Sequence, residues 1–109
     1  MRNITRLKNG IIGFAIGDAL GVPSEFKSRN ELKRYPITDM IGDGTYNVPA
    51  GTFSDDTSMT LATIDSIIET GTINPNDMAD RFLKWFRNAE YTATTECFDF
   101  GRISLHALA

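Results

Sequence analysis

The chain has 109 residues, of which 41% are hydrophobic and 23% charged, a balance that fits one globular domain and excludes wholesale disorder. Its formal net charge of -3 offers no electrostatic footprint for nucleic acid or for an anionic membrane surface. A single cysteine, Cys97, and a single histidine, His106, exclude an internal disulfide, a cysteine-based zinc site and an imidazole-rich metal site, so any chemistry depends on carboxylates and hydroxyls.

The first helix is predicted from about Thr5 to Leu20, where apolar residues recur at helical spacing. Four glycines follow one side of it: Gly10, Gly13, Gly17 and Gly21. Glycine costs about 1 kcal/mol relative to alanine inside a helix, so we expect another backbone to approach this side closely. The helix is therefore predicted to be buried in a tightly packed bundle.

The same glycines, together with Asp18, interrupt the apolar stretch that an export signal or a membrane-spanning helix requires. With one cysteine in the whole chain, the composition gives no sign of an oxidising compartment. The sequence therefore favours a cytoplasmic protein that does not act on a membrane.

A short second helix is predicted after Ser28, because Ser28 and Glu31 have the spacing of a capping box and Pro36 ends the helix. Residues 38–53 are rich in glycine, proline and aspartate, which is typical of turns. We expect any strand in this loop to be brief.

The third helix is predicted to begin with Ser54 as its N-cap and to end at Gly71, a residue type common just past a helix. A buried stripe is predicted at Thr57, Leu61, Ile64 and Ile68. Its first turn carries Asp55 and Asp56, which the helix dipole favours. A serine followed by two aspartates is a common way for a helix to begin, but a hydroxyl and adjacent carboxylates can also converge on Mg²⁺ or Mn²⁺. Both interpretations stay open.

The fourth helix follows Pro75, with Asn74 or Asn76 as its cap. Its apolar face is predicted from Ala79, Phe82, Leu83 and Phe86, with Trp85 beside them. Helical periodicity is lost over residues 91–100, and a fifth helix is predicted from about Gly101. Because no segment alternates convincingly at period two, the predicted fold class is all-α.

Two more carboxylates are candidates for chemistry. Glu25 follows a glycine–proline turn, and is either a solvated loop residue or a ligand carried back to the Ser54 region. Asp99 lies between two aromatic residues at a helix entrance, and it either caps that helix or takes part in chemistry. For Cys97 and His106, the sequence favours an inert buried thiol and a structural histidine over a nucleophile and its base.

In combination, these segments resemble the ADP-ribosylglycohydrolase family. The resemblance is carried by Gly-Asp-Ala-Leu-Gly at 17–21, Glu-Phe at 25–26, Ser-Asp-Asp-Thr-Ser-Met at 54–59 and Phe-Asp-Phe-Gly at 98–101. It implies the N-terminal part of an all-α hydrolase that removes ADP-ribose from modified proteins or from small ADP-ribose compounds. The bacterial branch includes the enzyme that removes ADP-ribose from an arginine of dinitrogenase reductase, other members act on other linkages, and some crystallin-like relatives have no known activity.

The resemblance also implies a site with a pair of Mg²⁺ or Mn²⁺ ions. Four residues match its metal ligands: Glu25, Ser54, Asp55 and Asp56. Asp99 matches an active-site aspartate that contacts substrate, and Arg102 stands where some relatives have a small polar residue near the substrate. In the implied metal-assisted hydrolysis of an N-glycosidic bond, Glu25 or Asp99 accepts a proton from the attacking water.

The family's second ligand cluster, an Asp-x-Asp-Thr-type motif, has no counterpart in the sequence. Two octahedral ions need about twelve ligand positions, which the four matching residues cannot fill. The apolar helical run at 103–109 also lacks a cap. We therefore expect residues 1–109 to be a single partial domain, truncated and inactive alone. The alternative is a non-catalytic or pseudoenzyme module that binds ADP-ribose or a protein partner.

We expect the 109-residue chain to fold poorly or to self-associate, because the glycine side of the first helix and the aromatic face of the fourth both need partners. Sedimentation over a range of concentrations, with thermal unfolding followed in parallel, measures this. A monomer with one cooperative unfolding transition contradicts the expectation.

Overall fold

The computed structural model describes residues 2–108, and these form an all-α fold, as predicted. The helices described are α1 (Arg2–Gly21), α2 (Arg29–Arg34), α3 (Asp55–Thr70), α4 (Pro75–Asn88) and α5 (Arg102–Leu108). Two short 3-10 helices lie at Val22–Ser24 and Gly44–Tyr46, and one isolated antiparallel bridge joins Asp43 to Val48. The last residue of the predicted C-terminal run, Ala109, lies outside the described residues.

The chain divides into two compact units, one ending at Phe53 and the other beginning at Ser54. The first unit contains α1, α2 and both 3-10 helices, and the second contains α3, α4 and α5. Over residues 2–108, no helix combines the length and the apolar character needed to cross a membrane.

The prediction that the first helix is buried is wrong for the described chain. Of residues 3–21, Ala19 alone is buried, whereas Leu7 is 65% exposed and Ile12 56% exposed. A Cβ added at any of its four glycines would meet no atom of the described chain within 4 Å. The physical reason is that the contacts of this helix with other described elements are mainly with the first 3-10 helix, at its C-terminal end, which leaves most of its apolar side chains exposed.

The capping box predicted for α2 is confirmed. The Glu31 backbone N–H donates to Ser28 Oγ at 3.1 Å, and the Ser28 N–H donates to Glu31 Oε2 at 3.2 Å. The helix ends at Arg34, two residues before Pro36, because the residue preceding a proline disfavours helical backbone.

The two 3-10 helices of the first unit pack closely enough that a glycine is required between them. Gly44 has a φ of +72°, and a Cβ there would lie 2.6 Å from both Pro23 Cα and Pro23 O. The neighbouring Thr45 hydroxyl donates hydrogen bonds to the backbone carbonyls of Glu25 and Pro23. The backbone position of Glu25 therefore depends on the close approach at Gly44.

In α3, the predicted ends are confirmed, whereas the predicted buried stripe is confirmed at Thr57 and wrong at Ile68. The helix ends at Gly71, which has a φ of +70°, whereas Ile68 is 72% exposed. The buried side chains of this helix are Thr57, Ser58, Ala62 and Ser66. Small residues four apart leave room for α4 to pack closely against α3, so this face shows no apolar stripe.

The fourth helix begins with Asn74 as its cap, since Asn74 Oδ1 accepts from the Asp77 N–H at 3.1 Å. Trp85 is 1% exposed and forms the centre of the buried face, whereas Ala79 is exposed. Phe100 meets this face edge-on, with ring centroids 6.5 Å from Trp85 and 5.2 Å from Phe86. The segment over 91–100 has no regular helix, as predicted, and leads into α5.

Gly44→Ala is expected to destabilise the chain by about 3 kcal/mol, because a left-handed backbone costs alanine about 1–2 kcal/mol and the new Cβ also collides with the Pro23 backbone. Gly51→Ala is the matched control, since Gly51 has a φ of +85° but open space at its Cβ. Its expected loss is about 1 kcal/mol. Urea denaturation followed by circular dichroism measures both, and equal losses would contradict the close approach.

Candidate functional site

Ser54 occupies the N-cap position of α3, but its hydroxyl does not cap the helix. The Ser54 carbonyl accepts from the Ser58 N–H at 3.2 Å, which opens the helical hydrogen-bond pattern. The hydroxyl instead hydrogen-bonds the Asp55 carboxylate, and the residue is only 2% exposed. The predicted cap is thus a partner of a carboxylate rather than of the helix backbone.

Asp55 is the most strongly perturbed carboxylate of this segment. Burial, the charge of Asp99 and the charge of Asp56, in that order, raise its pKa from 3.8 to about 6. The hydrogen bonds from Ser54 and from the Asp56 backbone N–H, the latter 3.0 Å from Asp55 Oδ1, act in the opposite direction. Because the pKa is raised overall, the two hydrogen bonds do not fully offset the effects of burial and of the neighbouring carboxylates at the N-terminus of α3.

Asp99 lies close enough to Asp55 for its charge to contribute, after burial, to the raised pKa of that carboxylate. It is half-buried and has a φ of +57°, an uncommon conformation for a residue other than glycine. It is not the cap of α5, since the helix begins at Arg102 and the Gly101 carbonyl accepts from Leu105 N–H at 2.9 Å. Arg102 is exposed at the start of α5.

Cys97 lies in the same loop and is half-buried. Burial, and then the charge of Asp55, raise the pKa of its thiol from 9.0 to about 11. A thiol with this pKa stays protonated at neutral pH, so it is a poor nucleophile, as expected. His106 is exposed on α5.

Glu25 belongs to the first unit, where it ends the first 3-10 helix. Its N–H donates to the Val22 carbonyl at 3.3 Å, and its own carbonyl accepts from the Thr45 hydroxyl. Phe26, beside it, has a φ of +62° and contacts Tyr46 edge-on with ring centroids 6.4 Å apart. That Glu25 lies beside Ser54 and Asp55 stays a prediction.

The chemistry of the donors at the start of α3 suits a hard cation. Ser54 offers a hydroxyl and Asp55 and Asp56 offer carboxylates, which are the ligand types that Mg²⁺ and Mn²⁺ prefer. Burial and, after it, repulsion by Asp99 and Asp56 raise the pKa of Asp55, and a divalent cation would offset both effects. Over residues 2–108, no three side chains of His, Cys, Asp or Glu are grouped so as to hold a metal ion by themselves.

A second polar cluster in the same unit was not predicted from the sequence. Arg81 binds Asp77 through Nε and Asp65 through Nη1, each at 2.7 Å, and Nη1 also donates to the Tyr91 hydroxyl at 3.1 Å. The pair of Asp77 and Arg81 is readable as a helical i,i+4 pair. Asp65 and Tyr91 are 16 and 10 residues from Arg81, so no local pattern indicates them.

A family model described as ADP-ribosylglycohydrolase matches residues 1–109. The chain is 33% identical over 106 residues to "ADP-ribosylarginine hydrolase Tri1" of Serratia proteamaculans, covering 97% of this chain and 28% of that protein. It is 35% identical over 105 residues to the Tri1 hydrolase of Pseudomonas putida, covering 96% of this chain and 28% of that protein. For "ADP-ribosyl-[dinitrogen reductase] glycohydrolase" of Rhodospirillum rubrum, the identity is 32% over 94 residues, 84% of this chain and 32% of that protein. The chain thus spans about a third or less of the length of these relatives.

Asp55→Asn is expected to stabilise the metal-free chain at neutral pH by about 1 kcal/mol, a modest value because solvent screens a partly exposed carboxylate. The folded pKa of about 6 exceeds the ordinary 3.8, so the ionised carboxylate opposes folding fully above pH 6. The folded chain takes up the proton first as the pH falls, so the difference from wild type shrinks between pH 6 and 3.8 and vanishes below.

Thermal unfolding in a chelator across that pH range measures the effect. Asp80→Asn is the matched control, because Asp80 is exposed on α4 and the change in net charge is the same. A stability difference for Asp55→Asn that does not change between pH 4 and pH 7 would contradict the electrostatic origin.

Proposed function

Because the chain belongs to the ADP-ribosylglycohydrolase family, we propose that it forms part of a site that hydrolyses the bond between ADP-ribose and a modified protein side chain. The observation that carries the proposal is the cluster of Ser54, Asp55 and Asp56 at the N-terminus of α3, with Asp99 beside it. The names of the Tri1 relatives support arginine as the modified side chain, and hence an N-glycosidic bond.

The proposal includes a site for Mg²⁺ or Mn²⁺. Ser54, Asp55 and Asp56 would hold the metal, and Glu25 would complete the ligands that this chain supplies. When bound, the cation would supply positive charge for orienting the ribose hydroxyls and for polarising a water molecule. The raised pKa of Asp55 supports this assignment, since carboxylates left to repel one another are stabilised by a cation.

The chain's own residues then have distinct tasks. Ser54 and the Asp56 N–H fix the orientation of the Asp55 carboxylate through two hydrogen bonds. Asp99 or Glu25 accepts a proton as the water oxygen bonds to the anomeric carbon of the ribose. The carbon–nitrogen bond breaks in the same step, and the guanidine leaves with its electron pair and takes up the proton that the carboxylate accepted.

Mn²⁺ titration tests the metal assignment. The wild-type chain is expected to bind Mn²⁺ saturably, and Asp55→Ala combined with Asp56→Ala to weaken binding at least about 100-fold, because two charged ligands are lost. Glu69→Ala combined with Asp80→Ala is the control, since both residues are exposed and the charge change is equal. Electron paramagnetic resonance counts free Mn²⁺, and equal, weak binding by all three proteins would exclude the site.

Release of ADP-ribose from an ADP-ribosylated arginine peptide separates a hydrolase from a non-catalytic module. If the site hydrolyses the bond, substituting whichever carboxylate accepts the proton, by Asp99→Asn or Glu25→Gln, lowers the rate about 100-fold. Binding of ADP-ribose without release, measured by calorimetry on the same protein, instead supports a module that binds the ligand.

A further inference from the structure

The loop that carries Asp99 has an unfavourable backbone conformation. It joins α4 to α5, and four of its non-glycine residues have left-handed φ angles: Ala89 at +59°, Tyr91 at +64°, Thr95 at +67° and Asp99 at +57°. Each such residue is less favourable than ordinary backbone, so the conformation persists only where other interactions hold it. Tyr91 attaches the loop by hydrogen bonds to both α3 and α4.

Tyr91 is bound to α3 through both its side chain and its backbone. Its hydroxyl donates to Asp65 Oδ2 at 2.6 Å, and its carbonyl accepts from Ser58 Oγ at 2.9 Å. Ser58 and Asp65 are seven residues apart, so they lie on the same face of the helix. Ser58 is also one turn beyond Asp55, so the Tyr91 carbonyl is attached next to the turn that carries the candidate ligands.

Arg81 fixes this arrangement from α4. Its side chain is 17% exposed, and its guanidinium binds Asp65 Oδ2 and the Tyr91 hydroxyl while Asp77, one turn away, holds Nε. Hydrogen bonds between charged groups are shorter and stronger than neutral ones, so Asp65 is held in one orientation as the acceptor for Tyr91. Burial and then the bond to Asp65 raise the pKa of Tyr91, which keeps its hydroxyl a donor.

The other end of the loop is attached by apolar contacts. Phe100 packs edge-on against Trp85 and Phe86, with the nearer ring centroid 5.2 Å away. Asp99 directly precedes this anchor, so the segment from Tyr91 to Phe100 is attached at both ends. Asp99 is thereby held where its charge meets that of Asp55, although like charges repel.

We propose that Asp65, Arg81 and Tyr91 are positioning residues that hold the loop, and with it Asp99, beside Asp55. The inference rests on the proposed function of the Asp55 site for its consequence in metal binding and hydrolysis. The attachment of the loop is independent of that function. None of the three residues contacts the reacting atoms in this proposal, since the hydrogen bonds given above join them to one another, to Asp77 and to Ser58.

Tyr91→Phe is the test variant, because it removes the hydroxyl and keeps the ring. Thr70→Val is the matched control. It also removes one hydroxyl with two bonds, to the carbonyls of Ser66 at 2.8 Å and Thr72 at 3.0 Å, but at the far end of α3. Both variants lose a small amount of stability, so a difference between them at the site reflects the position of the hydroxyl.

The first measurement uses no metal. Cys97 is the one cysteine of the chain, is half-buried, and lies between Tyr91 and Asp99, so its reaction with a thiol reagent reports access to this loop. Under native conditions, Tyr91→Phe is expected to speed the reaction about tenfold, and Thr70→Val to leave it unchanged. Asp65→Asn keeps an oxygen acceptor for Tyr91, so it is expected to cause a smaller increase than Asp65→Ala.

The second measurement is Mn²⁺ affinity, which Tyr91→Phe is expected to weaken about tenfold, in line with losses seen when groups that orient a metal site are removed. Unchanged Cys97 reactivity in Tyr91→Phe, or an equal increase in Thr70→Val, would overturn the positioning role. If the wild-type chain binds no Mn²⁺ while Tyr91→Phe still exposes Cys97, the proposed metal site fails and the positioning role stands.

Discussion

The constraint on which the second unit depends is the concentration of negative charge at the start of α3. Asp55 is partly buried, lies beside Asp56, and interacts with the charge of Asp99 from a distant part of the chain. Two hydrogen bonds, from the Ser54 hydroxyl and the Asp56 N–H, and the positive end of the helix dipole offset part of the repulsion. The repulsion that is left is opposed by the packing of α3 against α4 and by the contacts that attach the loop between α4 and α5.

Helix ends were predictable because the interactions that set them are local. Ser28 with Glu31, Asn74 with the Asp77 N–H, and Gly71 at its positive φ each act within a few residues. The buried face of α3 was not predictable in the same way. It consists of small and hydroxyl-bearing side chains, and an apolar pattern such as the one ending at Ile68 indicates hydrophobicity rather than the close approach of a neighbouring helix.

In the candidate site, too, the arrangements that depend on residues near in sequence were predictable, and those that depend on distant residues were not. Ser54, Asp55 and Asp56 are adjacent in sequence, so their proximity follows from one helical turn, and the turn that holds Glu25 follows from glycine and proline chemistry around Gly44. The cluster around Arg81 draws on two helices and a loop, so one sequence contains no signal for it beyond the i,i+4 pair with Asp77. The glycines of α1 were recognisable as unusual, but a Cβ added at any of them would meet no atom of the described chain within 4 Å.

Tyr91 and Asp99 show why the loop cannot simply relax. Glycine would adopt their left-handed backbone at little cost, but glycine at 91 would remove the hydroxyl bound by Asp65 and Arg81, and glycine at 99 would remove the carboxylate. Side-chain chemistry and backbone preference therefore conflict at the same two positions. Because such conflicts persist only where surrounding contacts over-determine the conformation, the bonds to Tyr91 and the ring contacts of Phe100 are what allow an aspartate, rather than a glycine, to occupy position 99.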